Sequence, residues 1–143
     1  LYLSMGAYFE SLAMSGFANW MKLQAQEETA HAMKFFDYVY ERGGAVKLEA
    51  IGGPETTWKS PLDAFENVFK HEQKVTAMIY DLVELAQAEK DHATESFLSW
   101  YVDEQVEEEA SADAIVQRLK LAGDKGPGMF MLDRELGMRG SGK

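Results

Sequence analysis

Glu28 and His31 stand three residues apart in the run Gln26-Glu27-Glu28-Thr29-Ala30-His31-Ala32. On a helix that spacing puts a carboxylate and an imidazole on one face. The face itself reads Phe17, Met21, Gln24, Glu28, His31, Phe35, Tyr38, stepping by four and three throughout. A seam of this period faces a bundle core. An ionised carboxylate buried there without a partner costs roughly several kcal/mol, and a metal ion is the simplest compensation. The pair thus points to cation binding by oxygen and nitrogen.

Two further seams break at polar residues. One carries Leu62, Phe65, Phe69, Glu72, Thr76, Ile79, Val83 and Ala86; the other Leu98, Tyr101, Gln105, Glu108, Ala112, Ile115, Leu119 and Ala122. Depth along the helices follows from counting. Glu28 lies about three turns beyond Phe17 and Glu72 nearly the same distance beyond Leu62. Glu72 precedes Glu89, where its helix ends, by as many residues as Glu108 follows Asp91, where the next begins. Glu28, His31, Glu72, Gln105 and Glu108 therefore share one layer if the second and third helices run parallel and the fourth returns. Three carboxylates at that spacing repel one another or take up protons. Cations relieve this, and an oxygen-rich set with one imidazole suits iron. The bland alternative for the layer is a buried polar cluster held by hydrogen bonds and water.

Other candidates keep two readings each. Glu27, Glu104 and Glu107 flank the layer and fit either a third, more open cation site or a solvated acidic run. Tyr2 fits a ligand-bonding or electron-donating role beside the layer, or aromatic packing; Trp100 beside Tyr101 has the same two readings. His71 and His92 have no partners at ligand spacing and read as surface or packing residues. The eight methionines, Met129 and Met131 among them, read as core filler.

The elements that must position these groups are five helices, with no convincing strand. The first runs from Leu1 to about Met14 with seam positions Tyr2, Met5, Phe9 and Leu12, and breaks at Ser15-Gly16. The second spans about Phe17 to Arg42 and stops at Gly43-Gly44. The third opens with Ser60 as N-cap and Pro61 in the first turn. The fourth follows a turn near Lys90-Asp91 and closes at Gly123, and a short fifth reaches about Arg139. The stretch Gly140-Ser141-Gly142-Lys143 is expected to be disordered. The link Gly44–Ser60, about 17 residues, can span about 55 Å extended, more than the length of the second helix. The expected fold is an all-α four-helix bundle with one long crossover between the second and third helices, as a single domain over 1–143. Leu1-Tyr2-Leu3-Ser4-Met5 reads as the middle of a helix. Carried back one heptad from Tyr2, the seam asks for a further carboxylate outside this chain.

Composition agrees. The 143 residues are 46% hydrophobic, enough for one sizeable core. The formal charge of −10 argues against nucleic acid as the main partner and suits cation binding, or simply solubility. With no cysteine, a metal must use oxygen and imidazole. No apolar run approaches the roughly 20 residues of a membrane span, so a cytoplasmic protein without a membrane partner is expected.

The chain resembles the non-haem prokaryotic ferritins over essentially its whole length. The carrying motifs are the run from Gln26 to Ala32, His71-Glu72-Gln73, and Trp100-Tyr101-Val102-Asp103-Glu104-Gln105-Val106-Glu107-Glu108-Glu109. The resemblance implies a ferritin-like bundle and a ferroxidase that oxidises Fe(II) with O2 and stores it as mineral in a multi-subunit cage, with 24 subunits expected. It implies a di-iron centre in which Glu28 and His31 hold one iron and carboxylates from the Glu72 and Glu108 sides bridge to a second, with Gln105 near that second metal. Glu27, Glu104 and Glu107 match the family's third iron site and Tyr2 its tyrosine beside the centre. Haem-binding bacterioferritins differ at Thr29 and at Gln105-Val106-Glu107-Glu108, so no haem is expected. The family's first-helix glutamate falls outside this chain, where the seam asked for it. The rival reading is therefore an inactive, structural bundle. A substrate-oxidising di-iron enzyme would need room that Phe35, Phe69, Trp100 and Tyr101 fill, and the acidic charge disfavours a DNA-protecting relative.

Overall fold

The computed structural model describes residues 1–123 and 125–140. They form α1 (Tyr2–Ser11), α2 (Ser15–Glu41), α3 (Pro61–Ala88), α4 (His92–Ala122) and α5 (Pro127–Leu136), with no strand among the described residues. Two compact units result. One joins Leu1–Trp58 with the segment from Met129 onward, and the other is Lys59–Gly128.

In the first unit, α1 and α2 pair through a tight turn. The turn is made by Ala13, whose backbone is left-handed at φ 57°, while Met14 N–H bonds back to the Phe9 carbonyl at 3.0 Å. That closure is the usual helix stop, normally made with glycine. The break expected at Ser15-Gly16 therefore falls earlier, at Leu12–Met14, and Ser15 and Gly16 already belong to α2. Leu12, expected on the seam, sits past the last turn and is 45% exposed. Tyr2, Met5, Phe9, Phe17 and Met21 are buried, with Phe9 and Phe17 stacked at 5.0 Å.

The fifth helix docks on the start of α2. Asp133 Oδ1 accepts from the Gly16 and Phe17 N–H groups at 2.9 and 3.0 Å. It caps a helix whose own N-cap residue, Met14, has no side-chain bond to offer. Gly16 is required by proximity, since a Cβ there would lie 1.6 Å from the Asp133 carbonyl oxygen. Met129, Leu132 and Leu136 form the buried stripe of α5, which leaves Met131 70% exposed. Met33, Met78 and Met138 are also exposed. The expectation that the methionines fill the core holds for Met5, Met21 and Met129 and fails for these four. Met33, Met78 and Met131 lie off the buried stripes of their helices, and Met138 lies beyond the end of α5. Helix α5 ends at Leu136, three residues short of the expected Arg139. Gly140 follows in a turn at φ 81°; the rest of the expected tail, 141–143, lies outside the described residues.

In the second unit, Ser60 Oγ accepts from Asp63 N–H at 3.1 Å and Asp63 accepts in return from Lys59 N–H at 2.9 Å, with Pro61 in the first turn. Lys90, left-handed at φ 55°, turns the chain into α4, which Asp91 caps through Thr94 N–H at 3.1 Å. Gly123 at φ 70° ends α4. Ala64, Phe65, Val68, Leu98, Val116 and Leu119 are the apolar core here.

Candidate metal centre

On α2, Glu28 uses both carboxylate oxygens. Oε1 accepts from Gln24 Nε2 at 3.2 Å, and Oε2 lies 3.5 Å from His31 Nδ1. The Glu28 side chain is 32% and the His31 side chain 15% exposed, so both are reachable by an incoming ion. Gln24 is fully buried. Its amide oxygen accepts from Arg139 Nη1 at 2.9 Å, which turns its NH2 group toward Glu28. Neighbouring Glu27 accepts from Arg139 Nη2 at 2.6 Å. Tyr2 is buried and meets Trp20 edge-on at 6.4 Å.

The second unit carries a buried polar group of its own. Glu72 is 1%, Gln105 4% and Glu108 8% exposed. Gln105 Nε2 lies 3.2 Å from Glu72 Oε2, from the Glu72 carbonyl oxygen and from Thr76 Oγ1. Thr76 in turn donates to Glu109 Oε1 at 2.6 Å. The amide thus fixes the rotamer of a buried carboxylate before any ion arrives. Glu108 follows one turn beyond Gln105 on the same face of α4. Glu104 is half-buried and Glu107 exposed on α4.

The remaining aromatic and histidine candidates separate by environment. Tyr101 is buried against Trp100, edge-on at 4.8 Å, and burial pushes its hydroxyl pKa up to about 12. His71 is half-buried, and loss of hydration lowers its pKa against the opposing pull of Glu72. His92 is exposed, its Nδ1 3.9 Å from Glu95. The neighbours that sequence reasoning missed are Gln24, Thr76, Glu109 and Arg139. Gln24 and Thr76 were visible as polar positions four residues from Glu28 and Glu72 in apolar seams. Glu109 and Arg139 carried no such signal.

Carboxylate oxygens and an imidazole are donors suited to iron and other hard or borderline cations. The comparisons with known proteins agree. A family model described as "Ferritin-like domain" matches residues 1–122. The chain is 51% identical over 139 residues to a bacterial non-heme ferritin of Bacteroides fragilis, covering 97% of this chain and 86% of that protein. It is 38% identical to one from Staphylococcus aureus, covering 96% and 83%. An open-pore ferritin from the hyperthermophilic archaeon Archaeoglobus fulgidus superposes with a TM-score of 0.96 at 57% identity, covering 97% of this chain and 85% of that one. The fold is accordingly the all-α ferritin fold, with four bundle helices, a long crossover between the second and third, and a short fifth helix. On sequence, fold and donor chemistry together, the chain belongs to the ferritin family of iron-storage proteins.

Proposed function

We propose that this chain is a ferroxidase subunit in which Glu28 and His31 on α2 join Glu72 on α3 and Glu108 on α4 around a pair of Fe(II) ions taken up as substrate. Each Fe(II) gives up one electron to O2, and the Fe(III) passes to a mineral store. Carboxylates favour this direction because they bind the harder Fe(III) more strongly than Fe(II). The observation that carries the reading is the buried Glu72–Gln105–Glu108 group, an acidic layer in a helix pair that is otherwise apolar at its core. By residue count, Glu28 and His31 belong at the same depth.

Gln105 acts in this reading on Glu72, as the donor that holds its carboxylate, rather than as a ligand of the second iron. Glu27, Glu104 and Glu107 form a third, more open iron site on the way to the store. Tyr2 stands beside the centre as an electron donor. Storage needs a shell, with 24 copies as the expected number. Large apolar residues left exposed in the single chain, Leu48 and Ile51 in the crossover and Phe130 and Met131 on α5, support burial against neighbouring copies. No helix among the described residues is long and apolar enough to cross a membrane, in keeping with a cytoplasmic store.

The test is the rise of ferric absorbance after ferrous iron and air are added to iron-free protein. We expect a fast phase that the Glu28→Ala/His31→Ala double variant loses. A rise no faster than that of iron in buffer, or one the double variant leaves unchanged, would make the chain a structural bundle instead.

A further inference from the structure

Arg139 lies beyond the end of α5, yet its guanidinium engages several groups of α2. Nη1 donates to Gln24 Oε1 at 2.9 Å and lies 3.4 Å from the Trp20 carbonyl oxygen. The group sits over the Trp20 ring at 4.6 Å. Nη2 donates to Glu27 Oε2 at 2.6 Å. The backbone is pinned as well, since Asn19 Nδ2 donates to the Arg139 carbonyl at 3.2 Å. The two partners of the ion pair differ in freedom. The Arg139 side chain is 27% exposed and the Glu27 side chain 48%. If the pair opens, Arg139 keeps its bonds to Gln24 and Trp20, while Glu27 swings into solvent.

We propose that Arg139 is a positioning residue that serves as a resident counter-cation for Glu27, holding that carboxylate against α2 until a metal cation displaces it. The same guanidinium fixes the Gln24 amide so that its NH2 group faces Glu28. One side chain therefore biases both acidic neighbours of α2, competing with cations for Glu27 and orienting Glu28 through Gln24. A partly exposed ion pair is weak enough to exchange at metal concentrations that a single carboxylate can answer. This rests on the reading of Glu27 as part of a third cation site.

The experiment is a Tb(III) luminescence titration of the assembled, iron-free protein, Tb(III) being a redox-inert oxygen-seeking probe. Glu27→Gln should abolish one binding phase. Arg139→Gln, which keeps hydrogen-bonding capacity and loses the charge, should tighten that same phase about two- to fivefold. Arg139→Lys, which keeps the charge but loses the guanidinium fork, should tighten the phase less than Arg139→Gln does. An unchanged or weaker phase in Arg139→Gln overturns the proposal while leaving the third site standing. If Glu27→Gln removes no phase, the third-site reading falls and takes the proposal with it. Should Arg139→Gln fail to assemble, crystals of the unaltered protein soaked in Tb(III) decide. Glu27 should have left Arg139 for the ion, with Arg139 still on Gln24 and Trp20. A Glu27 that remains on Arg139 beside a bound ion overturns the proposal.

Discussion

The two halves of the proposed centre are built on opposite plans. On α3 and α4 the polar residues are nearly dry, and Gln105 and Thr76 bind Glu72 in a network that leaves little choice of rotamer. On α2, Glu28 and His31 are partly exposed and touch through a long 3.5 Å contact, and Glu27 is held by a surface ion pair. A buried, satisfied network is rigid because each lost bond strands a desolvated group. A half-exposed carboxylate can exchange partners at little cost. The proposed centre would then divide the labour, with α3 and α4 as a fixed wall and α2 as the side whose ligands exchange partners to meet an ion.

That contrast can be broken in order of effect. The largest concerns iron oxidation. Glu108→Ala on the rigid side and Glu28→Ala on the mobile side should each slow the initial ferric absorbance rise by at least about tenfold. A loss on one side alone would mean the halves do not share one centre. Stability should then separate them. Gln105→Leu leaves Glu72 and Thr76 short of a donor and should cost about 1–3 kcal/mol in denaturant unfolding. His31→Gln should cost less than about 0.5 kcal/mol. Equal costs would erase the distinction.

A smaller effect tests what supports the mobile half. Asp133→Ala removes the acceptor for Gly16 and Phe17 N–H at the start of α2 and should cost about 1 kcal/mol, read from the same unfolding curves. The smallest is confined to alkaline pH. Tyr101 keeps its proton in the folded chain up to about pH 12, whereas an exposed tyrosine ionises near 10. The unfolded chain therefore binds fewer protons than the folded one above pH 10. The stabilisation is whole below that pH and is lost as pH rises toward 12. Tyr101→Phe should flatten the fall in stability over that window and remove a late-titrating phenol from an ultraviolet titration. A slope unchanged by the substitution would place the hydroxyl in water.

Legibility from sequence followed the range of the forces involved. Every predicted seam position of α4 from Leu98 to Leu119 is buried, because a helix stripe is set by local period. Ser60, Asp91 and Gly123 also mark their helix ends as expected, through bonds within a few residues. The end of α1 was misplaced because Ala13 takes a left-handed turn without the glycine that would announce it. Gly16 read as a breaker, whereas it is a contact point whose partner, Asp133, lies far along the chain. The acidic layer was visible as three interruptions of apolar seams. The groups that hold it were not: Glu109 is indistinguishable from its acidic neighbours in sequence, and Arg139 acts over 115 residues of separation from Gln24.

The docking of α5 also sets an order of assembly. The first turn of α2 carries amide protons that no neighbouring side chain caps, and their acceptor is separated from Gly16 by 117 positions. During synthesis from the N-terminus, α1 and α2 emerge and pair while that turn is still bonded only to water. It is completed when Asp133 arrives, after α3 and α4 have been made. Closing so long a loop is slow compared with forming a helix. The start of α2 is therefore made before α3, α4 and α5 yet is among the last segments to become rigid, and a ribosome-bound chain stalled before α5 would show it as the protease-sensitive end of an otherwise formed helix pair.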